Sequence, residues 1–237
     1  MGPIQTPIDV IHQDDDVVVV DKPPGLTVHR HERSGRREPV VLQTLSKQLG
    51  RFLYPVHRLD RNTSGVLCFA LSPDSAREVQ AALARPTCVK EYLVLVRGTT
   101  PPTFESTRPL RNDRGEPQPS RTECTRLAVC ARCSLLRVRL HTGRYHQIRR
   151  HLNHLAHHVI GDTTHGKGRI NQWFRDEYGL PRMFVHATRL VIDPLRTGSR
   201  AEWHAPLADD LRRFLTRLPD PPSPVVFDGT TSAGTWG

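Results

Sequence analysis

An aspartate between two arginines, just before an apolar run, is the strongest candidate for chemistry in this sequence. Asp60 lies in residues 57–65, HRLDRNTSG, and residues 66–71, VLCFAL, follow at once. The apolar run predicts a buried strand, and residues 62–65 are typical of a turn, with Gly65 free to take a positive φ. Catalytic groups are often carried on loops held by a rigid element, so this position favours chemistry. From charge pattern alone, an exposed ion cluster of little energetic value is an equally good interpretation.

The composition indicates a polyanionic partner. Among 237 residues, 34 Lys and Arg outnumber 24 Asp and Glu, giving a net charge of +10, and the lysines stand only at positions 22, 47, 90 and 167. Arginine pairs with phosphate through a planar fork and stacks on bases, so nucleic acid is the simplest partner. A basic protein from a GC-rich genome would show the same bias.

The sequence contains no feature of a secreted or membrane protein. Residues 1–9 have neither a basic start nor an apolar core, and no apolar run approaches the ~20 residues that span a bilayer. Five cysteines, an odd number without a disulfide-like framework, fit a reducing compartment, so we expect a cytoplasmic protein.

Neither the cysteines nor the histidines predict a metal site. Cys130 and Cys133 have CxxC spacing but no second pair, and we interpret them as a strand end and turn. His151, His154 and His158 have helical offsets but lack the glutamate of zinc proteases.

Interleaved helical and strand patterns predict an α+β fold, with a mixed, mostly antiparallel sheet flanked by helices and basic loops. Ser72 and Pro73 have the residue types of a helix start, and residues 87–98 are the clearest strand. Residues 99–121 hold five prolines and predict an irregular excursion, with a short hairpin or an RNA-facing loop as its two interpretations. We expect an amino-terminal extension over residues 1–13, one catalytic domain over 14–218 and a disordered tail over 219–237.

Four blocks in order resemble the RluA-type RNA pseudouridine synthases, and the resemblance runs from about Asp14 to Leu215. They are the valine run followed by DKPPGL and VH (residues 17–29), residues 57–65, the strand with Lys90-Glu91-Tyr92, and residues 142–152, TGRYHQIRRHL. A His-Ala strand over residues 183–192 is also similar. The details look most like the subgroup that modifies a uridine in the T-stem region of tRNA, although Tyr145 stands where relatives often have a smaller or basic residue.

The resemblance implies the pseudouridine synthase catalytic fold and an enzyme that isomerises a uridine in structured RNA to pseudouridine without a cofactor. By the same resemblance, Asp60 is the nucleophile and Arg149 its salt-bridge partner. The Tyr92 ring stacks on the target base and its hydroxyl takes a proton from the ribose, while Ile148 packs the base pocket.

The resemblance also implies that the uridine is flipped out of its helix. Arg58 then fills the space that the base leaves, and His57 orders the loop. The partner is RNA, tRNA rather than rRNA, bound by a monomer. The candidate RNA contacts are His57, Arg58, Arg61, Arg30, Arg33, Arg36, Arg37, Arg144 and Arg150. For the last six, a solvated surface arginine is an equally good interpretation.

Three alternatives remain open from the sequence. The chain is compatible with an rRNA-directed synthase or with a non-catalytic RNA-binding protein on the same scaffold. A glycoside or nucleoside hydrolase would use Asp60 with a second carboxylate, for which Glu91 and Asp162 are candidates.

Overall fold

The structure is a computed structural model that describes residues 7–30, 39–193 and 200–228. Three candidate RNA contacts, Arg33, Arg36 and Arg37, lie outside the described residues. The strands are β1 (Asp9–Gln13), β2 (Val17–Lys22), β3 (Tyr54–Pro55), β4 (Ser64–Ala70), β5 (Val89–Arg97), β6 (Thr103–Ser106), β7 (Leu110–Arg111), β8 (Pro117–Gln118), β9 (Thr122–Cys130), β10 (Cys133–Leu140), β11 (Val185–Ile192) and β12 (Ala201–His204). The helices are α1 (Val41–Leu49), α2 (Pro73–Ala84), α3 (Gln147–His154), α4 (Gly168–Tyr178), α5 (Asp209–Thr216) and α6 (Pro224–Asp228).

The chain forms two compact units, which we call unit 1 (Met1–Cys88 with Leu190–Ala205) and unit 2 (Val89–Arg189 with Pro206–Gly237). The single catalytic domain that the sequence analysis expects over residues 14–218 stays a prediction. Seven strand pairs are antiparallel: β1 with β2, β2 with β4, β3 with β4, β5 with β10, β9 with β10, β6 with β9, and β7 with β8. With the helices interleaved among these strands, the predicted α+β class and mainly antiparallel sheet are confirmed.

Unit 1 is built around β2, which pairs with β1 on one edge and β4 on the other. β1 falls in the segment expected to be an extension, so this segment adds a strand to the sheet. Alternating valines of β2 pack with residues of β4, α2 and β12 to form the core. As predicted, α2 begins after Ser72, whose hydroxyl accepts a hydrogen bond from the Ser75 amide.

Unit 2 is built around the antiparallel order β5, β10, β9 and β6. The turn between β9 and β10 puts Ala131 and Arg132 at φ 48 and 59°, the left-handed values that suit a two-residue hairpin. The interpretation of Cys130 and Cys133 as a strand end and turn is therefore confirmed. Burial raises the pKa of Cys130 to about 11 and that of Cys133 to about 12, so both thiols stay protonated at neutral pH.

The carboxyl-terminal part of unit 2 is more ordered than the sequence predicted. α6 lies within the segment expected to be disordered, and its Phe227 is 2% exposed in the core formed with Phe174 and Phe214. The prediction of disorder is wrong for Pro224–Asp228, because one buried aromatic ring anchors the segment. Within the described ranges, no helix is both long and apolar enough to cross a membrane.

Candidate active site

The Asp60 loop is a tight turn that leads directly into β4. The Thr63 amide donates to the Asp60 carbonyl at 3.0 Å, and β4 begins at Ser64, two residues before the predicted strand. Gly65 has φ 108°, which confirms the expected positive value. Asp60 is half-buried, whereas Arg58 and Arg61 are exposed. The carboxylate is therefore carried at the end of a strand that is buried along its whole length.

A lysine with no exposed surface holds this loop through hydrogen bonds to backbone carbonyls. Lys22, the last residue of β2, is 0% exposed. Its ammonium donates to the carbonyls of Thr63 at 2.8 Å, Arg61 at 3.2 Å and Pro23 at 2.7 Å. Charged hydrogen bonds of this kind are stronger than neutral ones, especially away from water. The backbone on the carboxyl side of Asp60 is therefore fixed by a buried cation, a role that the sequence analysis missed.

Two further contacts brace the loop. Arg61 Nε donates to the Gly25 carbonyl at 2.9 Å, and the Gly25 amide donates back to the Arg61 carbonyl at 2.8 Å. This tie joins the Asp60 loop to the Pro-Pro-Gly turn. His57 Nε2 accepts a hydrogen bond from the Cys68 amide of β4 at 3.0 Å, which ties the start of the loop to β4. Arg30, another candidate RNA contact, is exposed.

In unit 2, Arg149 on α3 is buried and forms a bidentate ion pair with Asp162. Its Nε lies 2.7 Å from Oδ2 and its Nη2 lies 2.8 Å from Oδ1. The amides of Thr164 and His165 donate to the same Oδ1 at 2.8 and 3.0 Å. The guanidinium is thus held in one orientation by a carboxylate that is itself fixed by backbone amides. The predicted contact between Arg149 and Asp60 stays a prediction.

These contacts also fix the charge of Asp162. Burial favours the neutral carboxyl, but the hydrogen bonds from Arg149 and His165 and the charge of Arg149 hold the pKa of Asp162 below its ordinary value. A carboxylate that stays ionised at neutral pH is poorly suited to protonate a leaving group. Glu91, the other candidate acid, contacts Arg189 at 3.4 Å. Both contacts weaken the argument for a hydrolase.

Tyr92 and Ile148 are both buried, and their roles at the target base stay predictions. Tyr92 lies in the middle of β5, with Val138 of β10 as its partner across the sheet. Ile148 lies in the first turn of α3, one position before Arg149. The strand and the helix therefore give both side chains a rigid backbone.

Polar side chains of α3 and the turn before it hold the predicted excursion, residues 99–121, by its backbone. Gln147 Nε2 and His151 Nε2 contact the carbonyls of Arg121 and Arg108, each at 2.9 Å. Two candidate RNA contacts on α3 and the turn before it also donate to carbonyls of the excursion. Arg144 Nε donates to the Pro119 carbonyl at 3.0 Å, and Arg150 Nη1 donates to the Arg111 carbonyl at 3.1 Å. The excursion contains the predicted short hairpin, β7 with β8.

The structure thus groups the predicted residues within each unit. Unit 1 carries Asp60 with His57, Arg58 and Arg61, and unit 2 carries Tyr92, Arg149, Ile148, Arg144 and Arg150. Lys22, Asp162 and Gln147 were not predicted to support the site. A lysine at the end of a strand that begins with four valines was the available signal for Lys22. The partners of Asp162 and Gln147 are too distant in sequence to be inferred from spacing.

Comparison with known proteins identifies close relatives along most of the chain. Residues 16–154 match the family model described as RNA pseudouridylate synthase. The tRNA pseudouridine synthase C of Vibrio vulnificus is 37% identical over 205 residues, covering 77% of this chain and 84% of that protein. The protein of the same name from Vibrio parahaemolyticus is 33% identical over 92% of this chain and 97% of its own length. Human RNA Pseudouridylate Synthase Domain Containing 1 superposes with a TM-score of 0.73 at 25% identity, covering 92% of this chain and 91% of its own.

Proposed function

The chain belongs to the RNA pseudouridylate synthase family, and from that premise we propose that it isomerises a uridine in the T-stem region of tRNA to pseudouridine. The observation that carries the tRNA assignment is the similarity to relatives named tRNA pseudouridine synthase C over most of the chain. The Asp60 loop, braced by buried contacts, supports the assignment of the reaction to this residue.

The reaction is an isomerisation, so its atoms balance without a second substrate. The bond between N1 of uracil and C1′ of the ribose breaks, the freed base turns, and C5 bonds to C1′. The proton on C5 is then lost and N1 gains one. Asp60 acts as the nucleophile that divides this exchange into two easier steps, whether it attacks the sugar or the base. No electrons are transferred to or from the substrate.

Arg149 and Tyr92 serve this nucleophile in the proposed mechanism. Arg149 is the proposed salt-bridge partner of Asp60, and Asp162 holds its guanidinium in a single orientation. The Tyr92 ring stacks on the uracil. Its oxygen takes a proton from the ribose and returns it when C5 bonds to C1′, so the ribose has the same hydrogens before and after the reaction. Arg58, exposed two residues before Asp60, fills the gap left in the RNA helix when the uridine is flipped.

We further propose that the chain acts as a monomer in the cytoplasm. The five cysteines are buried and none forms a disulfide, as expected in a reducing compartment. Light scattering after size exclusion, with and without tRNA, tests the oligomeric state, and a dimer mass would contradict the proposal.

Carbodiimide primer extension tests the substrate and the reaction together. Total tRNA and rRNA are incubated with the wild type, with Asp60→Asn, and with Asp74→Asn, an exposed carboxylate on α2 that serves as the matched control. The proposal predicts one new stop in the tRNA T-stem region with the wild type and Asp74→Asn, and none with Asp60→Asn. A stop in rRNA alone would show that the substrate is rRNA and not tRNA. RNA binding with no stop in any RNA would favour a non-catalytic binding protein.

A further inference from the structure

An exposed tyrosine stands on the segment that carries Arg149. Tyr145 is 57% exposed, and its ring stacks on the imidazole of His146 with the centroids 3.7 Å apart and the planes inclined by 21°. Two other aromatic residues in the described part of the chain are similarly exposed, Phe52 and Trp173. Of the three, only Tyr145 lies in the turn that leads directly into α3, four residues before Arg149. Its position links an accessible aromatic ring to the proposed catalytic helix.

The backbone beneath this ring is fixed. His146 is the residue before α3 and has φ 51° and ψ 31°, a left-handed conformation that a histidine rarely adopts. Gln147 Oε1 accepts a hydrogen bond from the Arg144 amide at 3.0 Å. His146 Nδ1 lies 3.2 Å from His165 Nε2, so one imidazole donates to the other. The stacked pair is therefore presented on a constrained turn.

The same turn is tied to the residues proposed for catalysis. The His165 amide donates to Asp162, and Asp162 holds the guanidinium of Arg149. Tyr145 and His146 directly precede α3, and Arg149 is the third residue of that helix. A group that stacks on Tyr145 would therefore lie next to the start of the helix that carries Arg149.

The charges around the ring indicate which group that is. Arg144 and Arg150, both half-buried, flank the stacked pair in sequence, and Arg150 Nη1 contacts the Tyr145 carbonyl at 3.4 Å. An exposed aromatic ring bordered by guanidinium groups is the usual arrangement for stacking an unpaired nucleobase while phosphates are held beside it. The chain's net charge of +10 favours the same polyanionic ligand.

We propose that the stacked Tyr145 and His146 rings form a platform for one unpaired nucleobase of the RNA, next to the uridine that is isomerised. This inference rests on the proposed function for the identity of the neighbouring uridine. Stacking accepts any base, so the platform recognises an unpaired nucleotide at this position rather than a particular sequence. It therefore selects RNA that has opened beside the target.

The test uses the full chain and a stem-loop RNA with 2-aminopurine placed next to an unpaired uridine, a probe whose fluorescence falls when it stacks. Tyr145→Ala removes the ring and Tyr145→Phe keeps it. Phe52→Ala is the matched control, because Phe52 is 70% exposed and contacts Tyr54 in unit 1. Circular dichroism verifies that each variant is folded, which is expected because the side chain removed is exposed.

Quenching by the wild type that is lost with Tyr145→Ala and kept with Tyr145→Phe and Phe52→Ala would support the platform. Loss of one stacked base predicts RNA binding weaker by roughly 5- to 100-fold for Tyr145→Ala. Equal fluorescence and equal affinity for the wild type and Tyr145→Ala would overturn the platform. The two proposals can fail separately. If Tyr145→Ala loses the quenching while the wild type forms no pseudouridine in tRNA or rRNA, the result would support the platform and refute the proposed function.

Discussion

Replacement of Lys22 by methionine tests whether a buried cation positions the Asp60 loop. The substitution keeps the length of the side chain but leaves the carbonyls of Thr63, Arg61 and Pro23 without the ammonium donor. Hydrogen bonds to charged groups contribute about 1.5 to 3 kcal/mol each, and release of the buried charge offsets part of the loss. We expect the free energy of unfolding to fall by about 3 kcal/mol, a change that urea unfolding followed by circular dichroism measures.

The more informative effect is on catalysis. A loop displaced by 1 Å costs roughly 100-fold in rate, because the nucleophile no longer meets its target in the reactive geometry. We therefore expect kcat for pseudouridine formation by Lys22→Met to fall about 100-fold at a temperature where the variant is folded, with RNA affinity nearly unchanged. Lys22→Gln, which keeps neutral donors, should be intermediate if Lys22→Met does not fold.

The matched control is Lys47→Met, which removes an exposed lysine from the last turn of α1. It should leave both the unfolding free energy and kcat close to those of the wild type. A folded Lys22→Met protein with wild-type kcat would refute the positioning role, as would a loss of RNA affinity with kcat unchanged.

Two further predictions concern unit 2. Asp162→Asn should lower the unfolding free energy by about 3 kcal/mol, since Arg149 loses a buried counter-charge. Because the pKa of Asp162 is lowered by folding, its stabilisation is complete above an unfolded pKa of about 3.9 and is lost as the pH falls through the folded value. Urea unfolding between pH 2 and 6 should therefore show a smaller loss of stability in acid for Asp162→Asn, and identical pH profiles would contradict the ion pair. Phe227→Ala should cost about 3 kcal/mol in thermal unfolding, against less than about 0.5 kcal/mol for Val225→Ala, which is 74% exposed, and equal melting would show that α6 does not belong to the core.

The sequence predicted features whose cause is local. The cap of α2 at Ser72 is set by residues within one turn, and the hairpin at Cys130 and Cys133 by adjacent residues, and both were confirmed. The Asp60 loop was recognisable for the same reason, because its turn residues and its strand are contiguous in sequence.

The missing features depend on contacts between distant residues. Lys22 reaches the Thr63 carbonyl across 41 positions, and a lysine is normally expected at the surface. Arg149 and Asp162 lie 13 positions apart on different segments, so no periodicity connects them. The proline-rich composition around Phe227 indicated disorder, and only the tertiary packing of one ring overcomes it.

Tritium release from tRNA labelled at C5 of uridine tests the central claim most directly, because C5 loses its hydrogen only when it bonds to the sugar. In single turnover, the wild type should release one tritium per modified tRNA, and Asp60→Asn should be slower by more than about 1,000-fold while still binding the tRNA. Release by Asp60→Asn at the wild-type rate would contradict the account, since the reaction would then proceed without the proposed nucleophile.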